Sequence, residues 1–339
     1  MSVTLKDIAE ELNISFNAVS RALRNMPDIG QETTQLVHET AARLGYRKNL
    51  AASYLKTARS MTFGIVIPDI CNPVFSHIYK GVEGVCRDRH YALMVGNSNE
   101  SADEEKALIT SMISHGVDGV FVVPVNKNRS RYSQLAAADI PLILLQRKSS
   151  RAQANLVQSN DCEGGYLAAE HLYSLGHRRF LLVFANMNVS SAKERYDGFL
   201  SCLASHGLKK DSVSLIECDL SRADGYAKTK AWLEDHPDLD GASAIFCFSD
   251  YIASGVYSAL SERGLSVPDD ISVVGYDNNE YSGIVYPPLT TVDILPHEIG
   301  TRAAKLMLEL IKKKSEKTTE IIISPKLTVR SSTKNNKRD

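Results

Sequence analysis

Apolar positions in the first 46 residues recur at helical spacing. Leu5, Ile8, Ala9 and Leu12 fall at i, i+3, i+4 and i+7, which predicts one buried face of a short helix. Thr4 precedes that face and Asp7 follows three residues on, a capping box that satisfies free backbone N–H groups. Asn13-Ile14 predicts a turn, because Asn tolerates the left-handed conformation a tight corner needs. Ser15 then caps a second helix with Val19, Ala22 and Leu23 inward, which leaves Phe16, Asn17, Ser20, Arg21 and Arg24 facing out. Leu36, Val37, Thr40, Ala41 and Leu44 mark a third helix, stopped by Gly45. Three small helices around a tiny core match a helix-turn-helix head. Short polar groups and a basic fork at the start of the second helix suit a major groove, where Asn reads adenine and Arg reads guanine. Phe16, Asn17, Ser20 and Arg21 are therefore candidate DNA contacts, together with Thr4 and Ser15 at the two helix starts.

From Thr62 the pattern changes to short β-branched or aromatic runs alternating with helical segments. The strand-like runs are Phe63–Pro68, Ala92–Gly96, Gly119–Pro124, Leu142–Leu145, Phe180–Phe184, Ala244–Phe248 and Ile271–Tyr276. Helical segments lie at Val74–Arg89, Glu104–His115, Glu163–Leu175, Ser191–Ser205, Gly225–Leu233 and Ile252–Arg263. Alternation with fully apolar strands predicts an α/β core of two doubly wound parallel sheets. In such sheets ligands bind beyond the carboxyl ends of strands. The polar residues at those ends are Asp69, Asn72, Gln146, Arg147, Ser159, Asn160, Ser249, Asp250, Asp277 and Asn279; Phe75 lies nearby and Arg195 early in a helix of the second half. Amides, carboxylates and guanidinium groups converging on one cleft suit a polar small molecule.

At this point the chain resembles the LacI/GalR family of bacterial transcription regulators. The resemblance is carried by Thr4-Leu5-Lys6-Asp7-Ile8-Ala9, Val19-Ser20-Arg21-Ala22-Leu23 and Leu44-Gly45-Tyr46, and continues to about Arg330. It implies a head over 1–48 and a hinge helix with linker over 49–60. It also implies a two-lobed core like periplasmic sugar-binding proteins, with one lobe from 61–159 and 292–319 and the other from 160–291 and 320–331. In the family the hinge helix pairs with its dimer mate in the minor groove, which adds Asn49, Ala52 and Leu55 as DNA contacts and makes Leu55 the wedge in the central base step. Standing alone, 49–55 is too short to be a stable helix. The expected partners are a palindromic double-stranded operator, a small-molecule effector and a second copy of the chain, with no membrane. The family's effector-contacting Arg and Asp match Arg195, in Arg195-Tyr196-Asp197-Gly198-Phe199, and Asp277, ending Val273-Val274-Gly275-Tyr276-Asp277. Asn72, Phe75, Gln146, Arg147 and Ser249 complete the expected effector site.

The chain also departs from the family pattern. Leu220 stands where sugar-binding relatives often place an aromatic platform, and Ser159 and Ile294 stand where many have Asp and Gln. Gly30 and Thr34 replace a common Ser cap and an Arg at the start of the third helix. A sugar or sugar derivative is the expected effector, with a nucleoside or purine as the alternative.

Charge refines the picture. The chain carries a net charge of −1, but residues 1–60 hold eight Lys/Arg against six Asp/Glu, which is +2, and the remaining 31 against 34 give −3. That asymmetry has the sign a DNA-binding head needs. Six cysteines with no CxxC pair suggest buried free thiols in a reducing compartment and no metal site. No N-terminal apolar signal and no bilayer-length apolar run are present, so a cytoplasmic protein is expected. Those two observations and the head argue against a transporter's solute-binding protein. No dinucleotide, Walker, G-x-S-x-G or H-E-x-x-H motif occurs, so no catalytic residue and no cofactor is expected. The polar stretch 332–339 is expected to be disordered.

Overall fold

A computed structural model describes residues 3–46, 59–125, 132–149, 154–313 and 317–336. The chain divides into two compact units, Met1–Ser60 and Met61–Asp339.

The first unit contains α1 (Leu5–Leu12), α2 (Phe16–Ala22) and α3 (Gln31–Leu44). Ile8, Val19, Ala22 and Val37 are fully buried between them. The Asp7 carboxylate accepts the Thr4 backbone N–H at 2.7 Å, and Ser15 Oγ accepts the Ala18 N–H at 3.1 Å. Asn13 takes φ 51 at the end of α1 and Gly45 takes φ 71 at the end of α3. Gly30 caps α3 without a side-chain hydrogen bond. Leu36 departs from the expected inward stripe and is half exposed. It lies about 100° round the helix from Val37, off the line of Val37, Thr40, Ala41 and Leu44. Asn49, Ala52 and Leu55 lie outside the described residues.

The second unit holds two sheets. One contains β1 (Thr62–Ile67), β2 (Ala92–Asn97), β3 (Gly119–Val122), β4 (Leu142–Leu145), β5 (Asn155–Ser159) and β11 (Glu320–Ile323), ordered β11-β5-β4-β3-β1-β2. The other contains β6 (Phe180–Ala185), β7 (Val213–Cys218), β8 (Ala244–Cys247), β9 (Ser272–Tyr276), β10 (Thr290–Asp293) and β12 (Lys326–Thr328), ordered β12-β10-β9-β8-β6-β7. The pairings are parallel except β12 on β10. Among the described residues eight α-helices flank them: α4 (Pro73–Asp88), α5 (Ala102–Ser114), α6 (Ser133–Ala137), α7 (Asp161–Ser174), α8 (Ser190–Ser205), α9 (Arg222–Asp235), α10 (Asp250–Glu262) and α11 (Pro296–Leu310). Every residue of β6 is buried, as a central parallel strand covered on both faces must be. Phe246 stacks on Phe199 with centroids 5.3 Å apart and meets Phe184 edge-on at 5.2 Å. Truncating such a ring costs about 3–5 kcal/mol.

Three expectations need correction. β11 belongs to the first sheet, where Ile323 pairs with Ser159, so 320–323 extends the first lobe. The apolar run Ile321-Ile322-Ile323 extends that sheet beside β5, and the last crossover falls at Ser324-Pro325. β10 pairs with β9, so 292–293 stays in the second lobe and the middle crossover falls after Asp293. The stretch after Arg330 is part of the fold as far as Asn336. Ser332 is fully buried, its hydroxyl donates to the Val273 carbonyl at 2.6 Å, and its Oγ accepts the Thr290 N–H at 2.8 Å. Among the thiols, Cys86, Cys202, Cys218 and Cys247 are buried as expected, whereas Cys71 and Cys162 are exposed.

Candidate functional site

A cleft of about 680 Å³ opens between the two sheets at the carboxyl ends of their strands. All seven expected effector residues line it: Asn72, Phe75, Gln146 and Arg147 from one lobe, and Arg195, Ser249 and Asp277 from the other.

Arg195 is placed by helix packing. α7 and α8 cross so closely that a Cβ on Gly165 would collide with the Arg195 carbonyl, and one on Gly198 with the Cys162 carbonyl. Arg195 is 2 % exposed. Its Nε donates to Asp161 Oδ1 at 2.9 Å and its Nη1 to the Phe248 carbonyl at 2.5 Å. The guanidinium lies 3.6 Å from the Tyr276 ring centroid and 4.4 Å from that of Phe248. Tyr276 Oη also donates to Asp161 Oδ1, at 3.0 Å. The fork is therefore fixed before any ligand arrives.

Asp277 completes the second-lobe wall. It takes φ 101 and Asn278 takes φ 52, two successive non-glycine residues in left-handed backbone. Such conformations cost on the order of 1–3 kcal/mol each and persist where the surroundings over-determine them. Here the Asp277 N–H donates to the Val292 carbonyl at 2.8 Å. Asn278 Nδ2 donates to Asp293 at 3.0 Å, and Arg330 Nη2 donates to Asn278 Oδ1 at 2.7 Å. Asp250 Oδ2 accepts the Asn279 N–H at 2.9 Å, and its Oδ1 accepts the Thr291 hydroxyl at 2.6 Å. A Cβ on Gly275 would strike the Asp250 carboxylate. Burial pushes Asp250 up to about 7, against the pull of its Thr291 and Asn279 hydrogen bonds. Burial also raises the Asp277 carboxyl well above the usual carboxylate range, and Arg195 opposes this without cancelling it. The Asp277 carboxylate has no hydrogen bond among the described residues; Arg195 Nη2 stands 3.8 Å away.

On the opposite wall, Gln146 Oε1 accepts the Ser159 N–H at 3.2 Å, while its buried Nε2 has no partner. Arg147 is gripped by Glu100 through Nη1 at 3.1 Å and Nη2 at 3.0 Å. Asn72 and Ser249 cap α4 and α10, so part of their polarity is already used. Asp69 also lines the cleft. Ser159, Asn160, Asp250 and Asn279 do not: Ser159 is fully buried in β5, and Asn160 caps α7. Sequence reasoning missed Glu100, Asn186, Asn188, Ser191, Asp219 and Phe248, which the cleft includes. Asn186 and Asp219 follow β6 and β7 directly, so the strand-end rule reaches them once β7 is recognised. Leu220 lines the cleft with an aliphatic side chain, and Ile294 is fully buried in the core.

In the head unit, Phe16 is 45 % exposed at the start of α2, and Thr4, Ser15 and Asn17 are also exposed. Ser20 and Arg21 are half-buried, and Arg21 Nη2 pairs with Asp28 at 2.5 Å. Among the described residues one group has metal-ligand spacing, Glu170, Cys202 and His206. Its atoms bond to one another, with His206 Nε2 2.7 Å and Cys202 Sγ 3.3 Å from Glu170 Oε2.

The model of bacterial regulatory proteins of the lacI family matches residues 4–49, and that of the periplasmic binding protein-like domain matches 169–333. The HTH-type transcriptional repressor PurR of Mannheimia succiniciproducens is 33 % identical over 98 % of this chain and 98 % of its own length. The chain belongs to the LacI family. Members are ligand-responsive, DNA-binding transcription regulators rather than enzymes, and this chain is one. Its architecture agrees with that of the lac repressor dimer bound to operator and the anti-inducer ONPF, with a TM-score of 0.86, 25 % identity and coverage of 98 % of this chain and 100 % of that one. A LacI family regulator from Enterococcus faecium with bound ribose gives a TM-score of 0.75 and 30 % identity, covering 81 % of this chain and 100 % of that one. Among the described residues no helix is long and apolar enough to cross a membrane.

Proposed function

We propose that this regulator is a cytoplasmic, homodimeric repressor whose operator affinity is set by an uncharged polar effector, a sugar or sugar derivative, held in the cleft by Asp277 and Arg195. The observation that carries the reading is the Asp277 carboxylate, buried and without a hydrogen bond beside a guanidinium already fixed in place. Its carboxyl group can accept hydroxyl or N–H donors, and while burial keeps it protonated it can also donate one hydrogen bond, so a polar ligand ends its isolation. The unpartnered Gln146 Nε2 across the cleft offers a donor to a ligand oxygen. The ribose-bound relative supports a sugar. A nucleoside or purine is the second reading, for which Phe75 would offer a flat face.

On this reading Thr4, Ser15, Phe16, Asn17, Ser20 and Arg21 meet the major groove, and Asn49, Ala52 and Leu55 the minor groove. The exposed apolar residues Tyr281, Ile284 and Tyr286 support a second copy of the chain as partner, because such a cluster is unusual on a free surface. Effector binding biases closure of the lobes, and in a dimer that changes the separation of the hinge segments. A thermal-shift panel of sugars, nucleosides and purines tests the reading. Ligand at about 100 times its dissociation constant stabilises by about 2.7 kcal/mol. Stabilisation of wild type but not of Asp277→Ala is the expected result; equal stabilisation of both would place the effector elsewhere.

A further inference from the structure

Six ionisable side chains line the cleft: Asp69, Glu100, Asp219 and Asp277 against Arg147 and Arg195. Both guanidinium groups already have a carboxylate partner. Asp161 holds Arg195 from behind, and Glu100 takes Arg147 with both carboxylate oxygens. Arg147 Nη1 also donates to the Pro124 carbonyl at 3.3 Å. The pair is sheltered, with the Arg147 side chain 7 % exposed and that of Glu100 29 %. An anionic group entering here would find no free cationic fork and would approach the Asp69 and Asp219 carboxylates, whose like charge repels it.

The backbone that presents Glu100 is unusual. Asn99 takes φ 50 and Glu100 φ 53, consecutive non-glycine residues in left-handed backbone. The turn is held by the Glu100 N–H on the Pro68 carbonyl at 3.1 Å, by Asn97 Nδ2 on Asn99 Oδ1 at 2.6 Å and by Asn99 Nδ2 on Glu104 Oε2 at 2.7 Å. Strained backbone of this kind clusters at ligand clamps, and its effect here is to bring a carboxylate onto Arg147.

We propose that Glu100 sets the charge class of the effector: by neutralising Arg147 it closes the cleft to phosphorylated and carboxylated ligands and reserves it for uncharged ones. The inference rests on the cleft being the effector site. Glu100 is thus a specificity-determining residue that acts through Arg147, and a free Arg147 would be a fork suited to a phosphate ester.

The test is calorimetric titration of the full chain with inorganic phosphate and with matched pairs, ribose with ribose 5-phosphate and glucose with glucose 6-phosphate. Wild type, Glu100→Gln, and Glu100→Gln combined with Arg147→Met are compared, with Glu100→Ala as a second route to the same release. Wild type is expected to bind neither phosphate nor the esters. Glu100→Gln is expected to gain at least about 10-fold in affinity for phosphate or an ester, the scale of one charge-assisted contact, and the Arg147→Met combination to lose that gain. Wild-type binding of an ester more tightly than its parent sugar, or no gain in either Glu100 variant, would overturn the proposal. The anion gain is read without any neutral ligand. A neutral ligand that binds Asp277→Ala as well as wild type would instead sink the cleft reading itself.

Discussion

Arg195 stops 3.8 Å short of Asp277 while Asp161 holds the same guanidinium at 2.9 Å. The two carboxylates have divided roles: Asp161 balances the charge from behind, and Asp277 keeps its acceptors for something in the cleft. Asp161 is fully buried, so removing it leaves an uncompensated buried cation. Asp161→Ala should cost about 3–5 kcal/mol of stability. Urea unfolding of the core checks this, and a loss below about 1 kcal/mol would mean that Arg195 finds another partner.

Asp250 makes stability depend on pH. An unfolded Asp ionises near 3.8, whereas Asp250 in the fold holds its proton to about 7. Between those values the unfolded chain has released a proton that the fold still carries. Asp250 therefore costs stability progressively as pH rises from about 4 to 7, with nothing further lost above that range. Asp250→Asn can still accept the Asn279 N–H and can donate to Thr291, so it should remove this slope. Between pH 4.5 and 7.5 the unfolding free energy should shift in favour of the variant by about 3 kcal/mol. Parallel pH profiles for the two proteins would show that Asp250 is ionised throughout.

Arg21 is paired with Asp28 in the head, so on the proposed reading DNA competes with Asp28 for it. Arg21→Ala should reduce the preference for operator over random DNA by roughly 10- to 100-fold, the scale of a bidentate guanine contact. Asp28→Asn should strengthen binding to random DNA, because it releases Arg21 and removes a negative charge beside the proposed groove contacts. Competition by fluorescence anisotropy separates the two. Equal losses on operator and random DNA for Arg21→Ala would make Arg21 a phosphate contact.

Much of this was legible in the chain. Apolar runs such as Phe180–Phe184, short and bounded by polar residues, read as central parallel strands, and that reading points to the polar residues at strand ends. What escaped has a common cause. β7 is half exposed at the sheet edge, so it lacks a continuous apolar run, and Asp219 beyond it went unmarked. Asp161 reads as an ordinary acidic residue in the first turn of a helix, and only the crossing of α7 and α8 turns it inward to Arg195. Glu100 reads as a solvated loop charge, because nothing local reveals a partner 47 residues away. The tail reads as disordered because Ser332 is polar, although its hydroxyl is satisfied by β9 and β10.

The central claim is that occupancy of the cleft is what operator affinity senses. Operator binding should be measured by anisotropy for wild type and Asp277→Ala, with and without the ligand found in the thermal-shift panel. Wild type should change its operator affinity by about 5- to 150-fold on adding ligand, the usual range of allosteric coupling. Asp277→Ala should bind operator like ligand-free wild type and ignore the ligand at the same concentration. A full response from Asp277→Ala would contradict the account.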